Sequence, residues 1–234
     1  MGKKKFFIFG VLTVLLVSAL LIFTGCPSSE SIGHIAKYIY MTDTSSGNVY
    51  TYDFNTYKAS TTPVVSIGEN SSDRIYFFEN KGFICTGNNP FSPNSPGIYT
   101  FDPNELNPTI EIFTNSSNLS PQYIAFINSS TAYVTSYDSS KSKLIGVFKF
   151  NPSNIDSSFT LIEGTDGSAQ DIKLINGYLY VASYGNNSIL KIDPSNNNVE
   201  SFTLKDADQN DLLIHPSYIT VNSDSTKIYF TNSG

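Results

Sequence analysis

The sequence predicts an all-β fold built as a repeat array, with about four four-stranded antiparallel units and part of a fifth. Two independent anchors predict it. A Tyr-rich strand at Tyr38-Ile-Tyr-Met-Thr returns at Gly82-Phe-Ile-Cys-Thr, Ala132-Tyr-Val-Thr, Gly177-Tyr-Leu-Tyr-Val-Ala and Lys227-Ile-Tyr-Phe-Thr. Aligned on Tyr40, Ile84, Tyr133, Tyr180 and Tyr229, these copies lie 44, 49, 47 and 49 residues apart. The strand that follows ends at Tyr52-Asp53-Phe54, Phe101-Asp102-Pro103, Phe150-Asn151-Pro152 and Ile192-Asp193-Pro194, spaced 49, 49 and 42. Four short strands in about 47 residues, with no helical segment between them, is the period of a β-propeller blade.

The chain begins with a different kind of segment. Met1 to Lys5 is positively charged, Phe6 to Phe23 is an almost unbroken apolar run, and Thr24-Gly25-Cys26 follows. This pattern resembles a bacterial lipoprotein signal, which implies cleavage before Cys26 and acylation, with palmitate among the fatty chains, of that cysteine. Phe23 departs from the aliphatic residue usual three places before the cysteine. The run is also long enough to span a bilayer, so an uncleaved anchor is the alternative. Residues 1–25 are read as the signal peptide and residues 26–36 as the lipidated cysteine and a short polar tether. Residues 37–234 form the repeat array. Either form of anchor places that array in the bacterial cell envelope, attached to a membrane and outside the cytoplasm.

Within the array the fourth unit is the clearest. Tyr178 to Ala182 and Ile189 to Ile192 alternate large apolar with smaller side chains, and Gly185-Asn186-Asn187 lies between them as a hairpin turn. Each second strand ends on an Asp-Pro-type turn, where an Asp or Asn side chain caps its own backbone and proline cannot continue a ladder. Outer strands follow at Ile110 to Phe113, Phe159 to Ile162 and Ser201 to Leu204, with Val64 to Ile67 as the loosest copy. Innermost strands precede the Tyr-rich ones at Arg74 to Phe78, Tyr123 to Ile127, Asp171 to Ile175 and Tyr218 to Val221. The first unit lacks a clear innermost strand. The last stops at Thr231-Asn-Ser-Gly234, inside its hairpin turn, so the chain reads as the N-terminal part of a longer ring.

The segment Tyr180-Val-Ala-Ser-Tyr-Gly-Asn-Asn-Ser-Ile-Leu-Lys-Ile-Asp193 resembles the NHL and YVTN propeller repeats, which share a Tyr-Val start, a Gly-Asn turn and an Ile-x-x-Asp-type finish. Leu212 to Val221, with Pro216 inside it, is similar to their entry into the innermost strand. The resemblance covers Lys37 to Gly234 and implies the fold, since these families share no single activity.

Composition narrows the function. The chain carries 14 basic against 20 acidic residues, a net charge of −6. Loss of Lys3, Lys4 and Lys5 with the signal makes it more acidic still. No basic stripe is present, which argues against nucleic acid. Of the two cysteines, Cys85 is read as a small buried apolar residue in the place where other units carry Val134, Val181 and Phe230.

Nucleophilic catalysis needs a Ser or Cys, a base and an orienting acid. His215, just before an innermost strand, is the one serious base and the candidate channel-entrance residue; His34 lies in the tether. No metal-ligand spacing occurs, and Asp206-Ala-Asp-Gln-Asn-Asp211 lacks the glycine and terminal glutamate of a calcium loop. No catalytic residue, metal or cofactor is assigned.

The expected function is that of a membrane-tethered binding or scaffold module, meeting a protein or small ligand on its loop face. The alternative is a propeller enzyme. Resemblance to gluconolactonase and regucalcin-like propellers, or to lyases, implies a metal site in the central channel; Glu69, Asp73, Asp171 and Asp224 are candidate positions, though no spacing selects them. The two readings predict different geometry: acids and a histidine converging on the channel, or an aromatic and polar loop surface without such convergence.

Overall fold

A computed structural model describes residues 38–43, 46–67, 74–86, 97–105, 108–114, 119–138, 143–155, 159–167 and 169–233. Among these residues the chain forms five antiparallel sheets that follow one another in sequence. The first holds β1 (Tyr38–Asp43), β2 (Asn48–Asp53), β3 (Lys58–Ala59) and β4 (Val65–Ser66). The second holds β5 (Arg74–Phe78), β6 (Lys81–Cys85), β7 (Gly97–Phe101) and β8 (Glu111–Thr114). The third holds β9 (Leu119–Asn128), β10 (Thr131–Asp138), β11 (Lys143–Phe150) and β12 (Thr160–Leu161). The fourth holds β13 (Ala169–Ile175), β14 (Tyr178–Ser183), β15 (Ser188–Ile192) and β16 (Val199–Phe202), and the fifth β17 (Pro216–Val221) with β18 (Ile228–Asn232).

The middle three sheets are four-stranded meanders, each strand paired with the next. In the first, β3 and β4 both pair with β2, so the outer position is filled by two short pieces and no innermost strand is present among the described residues. The fourth outer strand starts two residues earlier than the sequence suggests, at Val199, because Asn197 turns the chain with φ 61°. The fourth-unit hairpin matches expectation closely. Tyr184–Asn186 form one 3-10 turn, and Asn187 takes the left-handed conformation that closes it.

The turns obey one chemistry. The Oδ1 atoms of Asp53, Asp102, Asn151 and Asp193 each accept the backbone N–H two residues on, at 2.7 to 2.9 Å. That Asx arrangement supplies an acceptor to an N–H that has left the ladder. It is why an Asp or Asn recurs there. The hairpin between β13 and β14 uses Asn176 and Gly177 at φ 50° and 83°, the Asn-Gly pair suited to a type I′ turn.

Period-two alternation sends each sheet's side chains toward the unit before or the unit after. The core therefore divides into four clusters, one between each consecutive pair of units. Val49, Val65 and Ile67 meet Ile84, Tyr99 and Phe101. Phe83, Cys85 and Ile98 meet Ile124, Ala132, Val134 and Phe148. Tyr133 and Val147 meet Ile172, Leu179, Val181 and Leu190. Ala182 and Ile189 meet Leu213 and Ile219. Burying a Val, Leu or Ile contributes about 1.5–3 kcal/mol, so these inter-sheet layers dominate the array's stability.

This arrangement corrects one alignment. Ile75 pairs with Ile84, and Val134 with Ile124, Val181 with Ile172 and Phe230 with Ile219. The equivalent of Tyr133, Tyr180 and Tyr229 is therefore Phe83, not Ile84. Cys85 accordingly corresponds to Thr135, Ala182 and Thr231 rather than to Val134, Val181 and Phe230. A slip of one residue sends a strand's side chains to the opposite face, and two adjacent apolar residues, Phe83 and Ile84, concealed it. Cys85 is fully buried in an apolar cluster, as a packing residue would be.

Candidate functional site at the start of the innermost strands

The innermost strands β5, β9, β13 and β17 lie beside one another, β9 against β5 and β13, and β13 against β17. Along them lie Arg74, which begins β5, Tyr123 midway along β9, and Asp171 and Tyr218, each third in its strand. Register makes these four equivalent: Arg74 faces Cys85, Tyr218 faces Thr231, and the Tyr123 N–H donates to Thr135 Oγ1 at 3.2 Å. Asp171 immediately precedes Ile172, the partner of Val181, at a shift in register after the Ala169–Ser183 pair. The fold thus gathers an arginine, an aspartate and two tyrosines, successive members about 48 residues apart in the chain, along neighbouring innermost strands.

Arg74 sets its guanidinium carbon 3.7 Å from the centroid of the Tyr123 ring, a contact favoured by the ring quadrupole. Tyr123 in turn meets Tyr218, two sheets further on, edge to face with centroids 6.1 Å apart. Tyr123 is buried, and Tyr218, in the last described sheet, is 49% exposed. Burial pushes the Tyr123 phenol well above its ordinary value, and the adjacent Tyr218 phenol adds to the shift while Arg74 opposes it. Tyr76, whose hydroxyl donates to the Gln122 carbonyl at 3.5 Å, is pushed up by burial in the same way.

Asp171 is the buried acid of this group, 2% exposed. Its Oδ2 accepts the N–H of Ile219 in the next sheet at 2.9 Å, and its Oδ1 accepts the N–H of Ile172 at 2.8 Å. Lys173 Nζ lies 3.8 Å from Oδ1. Burial raises the carboxyl above the usual range, against the opposing pull of the Ile219 N–H, Lys173, the Ile172 N–H and Arg74. Both oxygens are thus engaged by backbone, and one of them ties the fourth sheet to the fifth.

His215 immediately precedes β17 and adopts φ 50°, a left-handed conformation in which histidine is enriched. Its N–H donates to Asn187 Oδ1 at 2.8 Å, its carbonyl accepts from Ser217 Oγ at 3.1 Å, and its ring stacks on Tyr184 with centroids 4.5 Å apart. The imidazole is thereby turned onto the hairpin of the fourth sheet, and the backbone acts as a turn. Asp224 is exposed at the far end of β17, where its Oδ1 accepts from Thr226 N and Oγ1. Of the acids considered for a channel site, the structure brings only Asp171 into the group. Glu69, Asp73 and Cys26 lie outside the described residues. Asp206 accepts from the N–H groups of Asp208 and Asn210, and among the described residues no three His, Cys, Asp or Glu side chains stand close enough to hold a metal.

Arg74, Tyr123 and Tyr218 escaped the sequence reading. Each looks like an ordinary first residue of a strand, and the one available signal was their shared place in the repeat.

No family model matches the chain, and no curated protein matches it. Solved structures do. A nidogen/laminin complex matches at TM-score 0.55 and 16% identity, covering 73% of this chain and 61% of that one. Streptogramin B lyase matches at TM-score 0.60 and 13% identity, covering 84% and 62%. A functionally unknown protein from Desulfotomaculum acetoxidans matches at TM-score 0.56 and 13% identity, covering 84% and 59%. The fold is a β-propeller. Its sheets are blades, and its innermost strands line the side on which Arg74, Tyr123, Asp171 and Tyr218 meet. The chain spans about three-fifths of the length of the structures it matches. At these identities the likeness is one of fold.

Proposed function

We propose that this protein is a binding or scaffold module of the bacterial cell envelope, tethered through a lipid on Cys26 and meeting its partner at the start of the innermost strands. One observation carries the binding role. The group there is aromatic and cationic, with Tyr218 exposed beside Arg74 and Tyr123, while its buried acid is engaged by the Ile219 and Ile172 N–H groups. That is a recognition surface with an internal brace, and exposed aromatic and arginine side chains carry binding energy well. The presence of a binding complex among the structural neighbours agrees with it. The tether rests on the sequence pattern up to Cys26.

Two experiments test the reading. Cells expressing the full chain and its Cys26→Ala variant are labelled with radioactive palmitate and fractionated. The parent chain is expected in the membrane fraction with label, and the variant without label. A labelled variant, or an unlabelled parent, removes the lipid from the account. For binding, a photo-crosslinking residue at position 218 is expected to capture a partner that the same residue at the exposed position 57 does not. Equal capture at both positions overturns the Tyr218 group as the binding surface.

The enzyme reading is supported by Asp171, a buried acid with a raised pKa at the inner strands, and by the lyase among the neighbours. Metal-dependent turnover of a lactone or ester panel, lost in Asp171→Asn, would establish it in place of the binding role.

A further inference from the structure

The connection between the fourth and fifth blades is unlike the others. Thirteen residues (203–215) separate β16 from β17, against four between β8 and β9 and seven between β12 and β13. They form a two-stranded finger. Lys205 and Asp211 bridge across it, and the Leu212 N–H donates to the Leu204 carbonyl at 2.7 Å. At its tip Asp206 accepts from the N–H groups of Asp208 and Asn210 at 2.9 Å, and Lys205 pairs with Asp211 at 3.3 Å. Its return strand is fastened to the end of β18, where Asn232 Nδ2 donates to the Leu212 carbonyl at 2.7 Å and the Ser233 N–H to the Ile214 carbonyl at 3.3 Å.

Alternation gives the finger two faces. Leu213 points inward and is fully buried in the core between the fourth and fifth blades. Leu204 and Leu212, opposite one another, turn the other way, and with Ile214 they stand 42 to 50% exposed. Only Leu213 serves the propeller core. The outer aliphatic pair is displayed on a strand pair already held in place.

We propose that the face of Leu204 and Leu212 is a docking surface for a protein segment that carries aliphatic side chains flanked by lysine or arginine. Charge complementarity selects that partner. Asp206, Asp208 and Asp211 outnumber Lys205 at the tip, on a chain of net charge −6. A basic segment meets opposite charge along the rim of an apolar centre, which steers encounter and fixes register. A second copy of this chain would bring like charges together. An anionic membrane leaflet would be repelled for the same reason. The finger's fastened ends limit the conformational freedom lost on docking. This inference is independent of the Tyr218 surface and stands or falls without it.

The test uses the full-length protein in detergent and two fluorescent peptides, one alternating leucine with lysine, the other leucine with glutamate. The lysine peptide is expected to bind, to weaken about tenfold or more when Leu204→Ser and Leu212→Ser are combined, and to weaken in high salt. Asp208→Lys, which leaves the apolar face intact, is expected to reduce binding as well. Circular dichroism of each variant checks that the fold persists. Unchanged binding in the Leu204→Ser/Leu212→Ser protein overturns the proposal, as does equal binding of the glutamate peptide. Leu212-dependent self-association, or Leu212-dependent binding to phosphatidylglycerol vesicles in place of the lysine peptide, overturns it in favour of a second copy or a membrane.

Discussion

The hydroxyl of Tyr133 donates to Asn197 Oδ1 at 2.7 Å, across the boundary between the third and fourth blades. It also reaches the Pro194 carbonyl at 3.4 Å. The same contact occurs two interfaces earlier in the array, where Tyr40 donates to the Pro103 carbonyl at 3.3 Å. Two features that repeat in the sequence, a tyrosine in the second strand and an Asp-Pro turn after the third, are thus partners in space. The tyrosine of one blade fastens the turn of the next. Phe83 occupies the equivalent position in the second blade and has no hydroxyl to make this bond.

Tyr133→Phe removes this bond while keeping the ring. A net loss of about 1 kcal/mol is expected, read as a lower urea midpoint at an unchanged slope. Tyr40→Phe removes a longer bond and is expected to lose less. The two sites lie in separate interfaces, so their effects are expected to add.

Asp171 predicts an unusual pH dependence. Its folded pKa lies above the unfolded value, so between the two the native state binds more protons and stability falls as pH rises. Above the folded pKa the loss is complete. Asp171→Asn keeps an oxygen for the Ile219 N–H and removes the charge. It is expected to match or exceed the parent at pH 7, and to flatten the stability profile from pH 4 to 7. Asp171→Ala leaves the Ile219 N–H without its acceptor and is expected to lose about 1–3 kcal/mol. Chemical denaturation at several pH values separates the two variants.

Gly82 is required by a neighbour. A Cβ there would collide with the Cε1–Cζ edge of the ring of Phe101, its register partner on β7. Gly82→Ala is expected to destabilise by about 1–3 kcal/mol through overpacking. Phe101→Leu on the Gly82→Ala background is expected to recover part of that loss, measured by thermal unfolding.

Cys85 is fully buried among Phe83, Ile98 and Val134. Its thiol is expected to react with a soluble disulfide reagent only when the blade opens. Native labelling should therefore be far slower than labelling in denaturant, and should accelerate in Tyr133→Phe if that variant lowers the opening energy. Fast labelling of the native protein would show that the blade opens freely.

Much of the architecture was legible from local chemistry. The Asp53, Asp102, Asn151 and Asp193 turns, the Asn176-Gly177 hairpin and the Tyr178–Ser183 strand follow from residue types acting on their own backbone. Those interactions reach two to four residues and leave a periodic trace. The register of the second blade was harder to read, since Phe83 and Ile84 are both apolar and either suits an inward face. Pairing with Ile75 decided it.

By itself, the sequence determined an all-β array of blades with a period near 47 residues. Only the tertiary structure decided that Arg74, Tyr123, Asp171 and Tyr218 lie along neighbouring innermost strands, that His215 turns its ring onto Tyr184, and that Leu213 is buried while Leu212 faces out. The physical reason is range. Turn chemistry and strand alternation act along the chain and repeat with it, whereas the cation–π contact of Arg74 with Tyr123 and the bond from Ile219 to Asp171 join residues about 48 positions apart. Such contacts exist only after the blades have packed, and no local pattern in the chain records them.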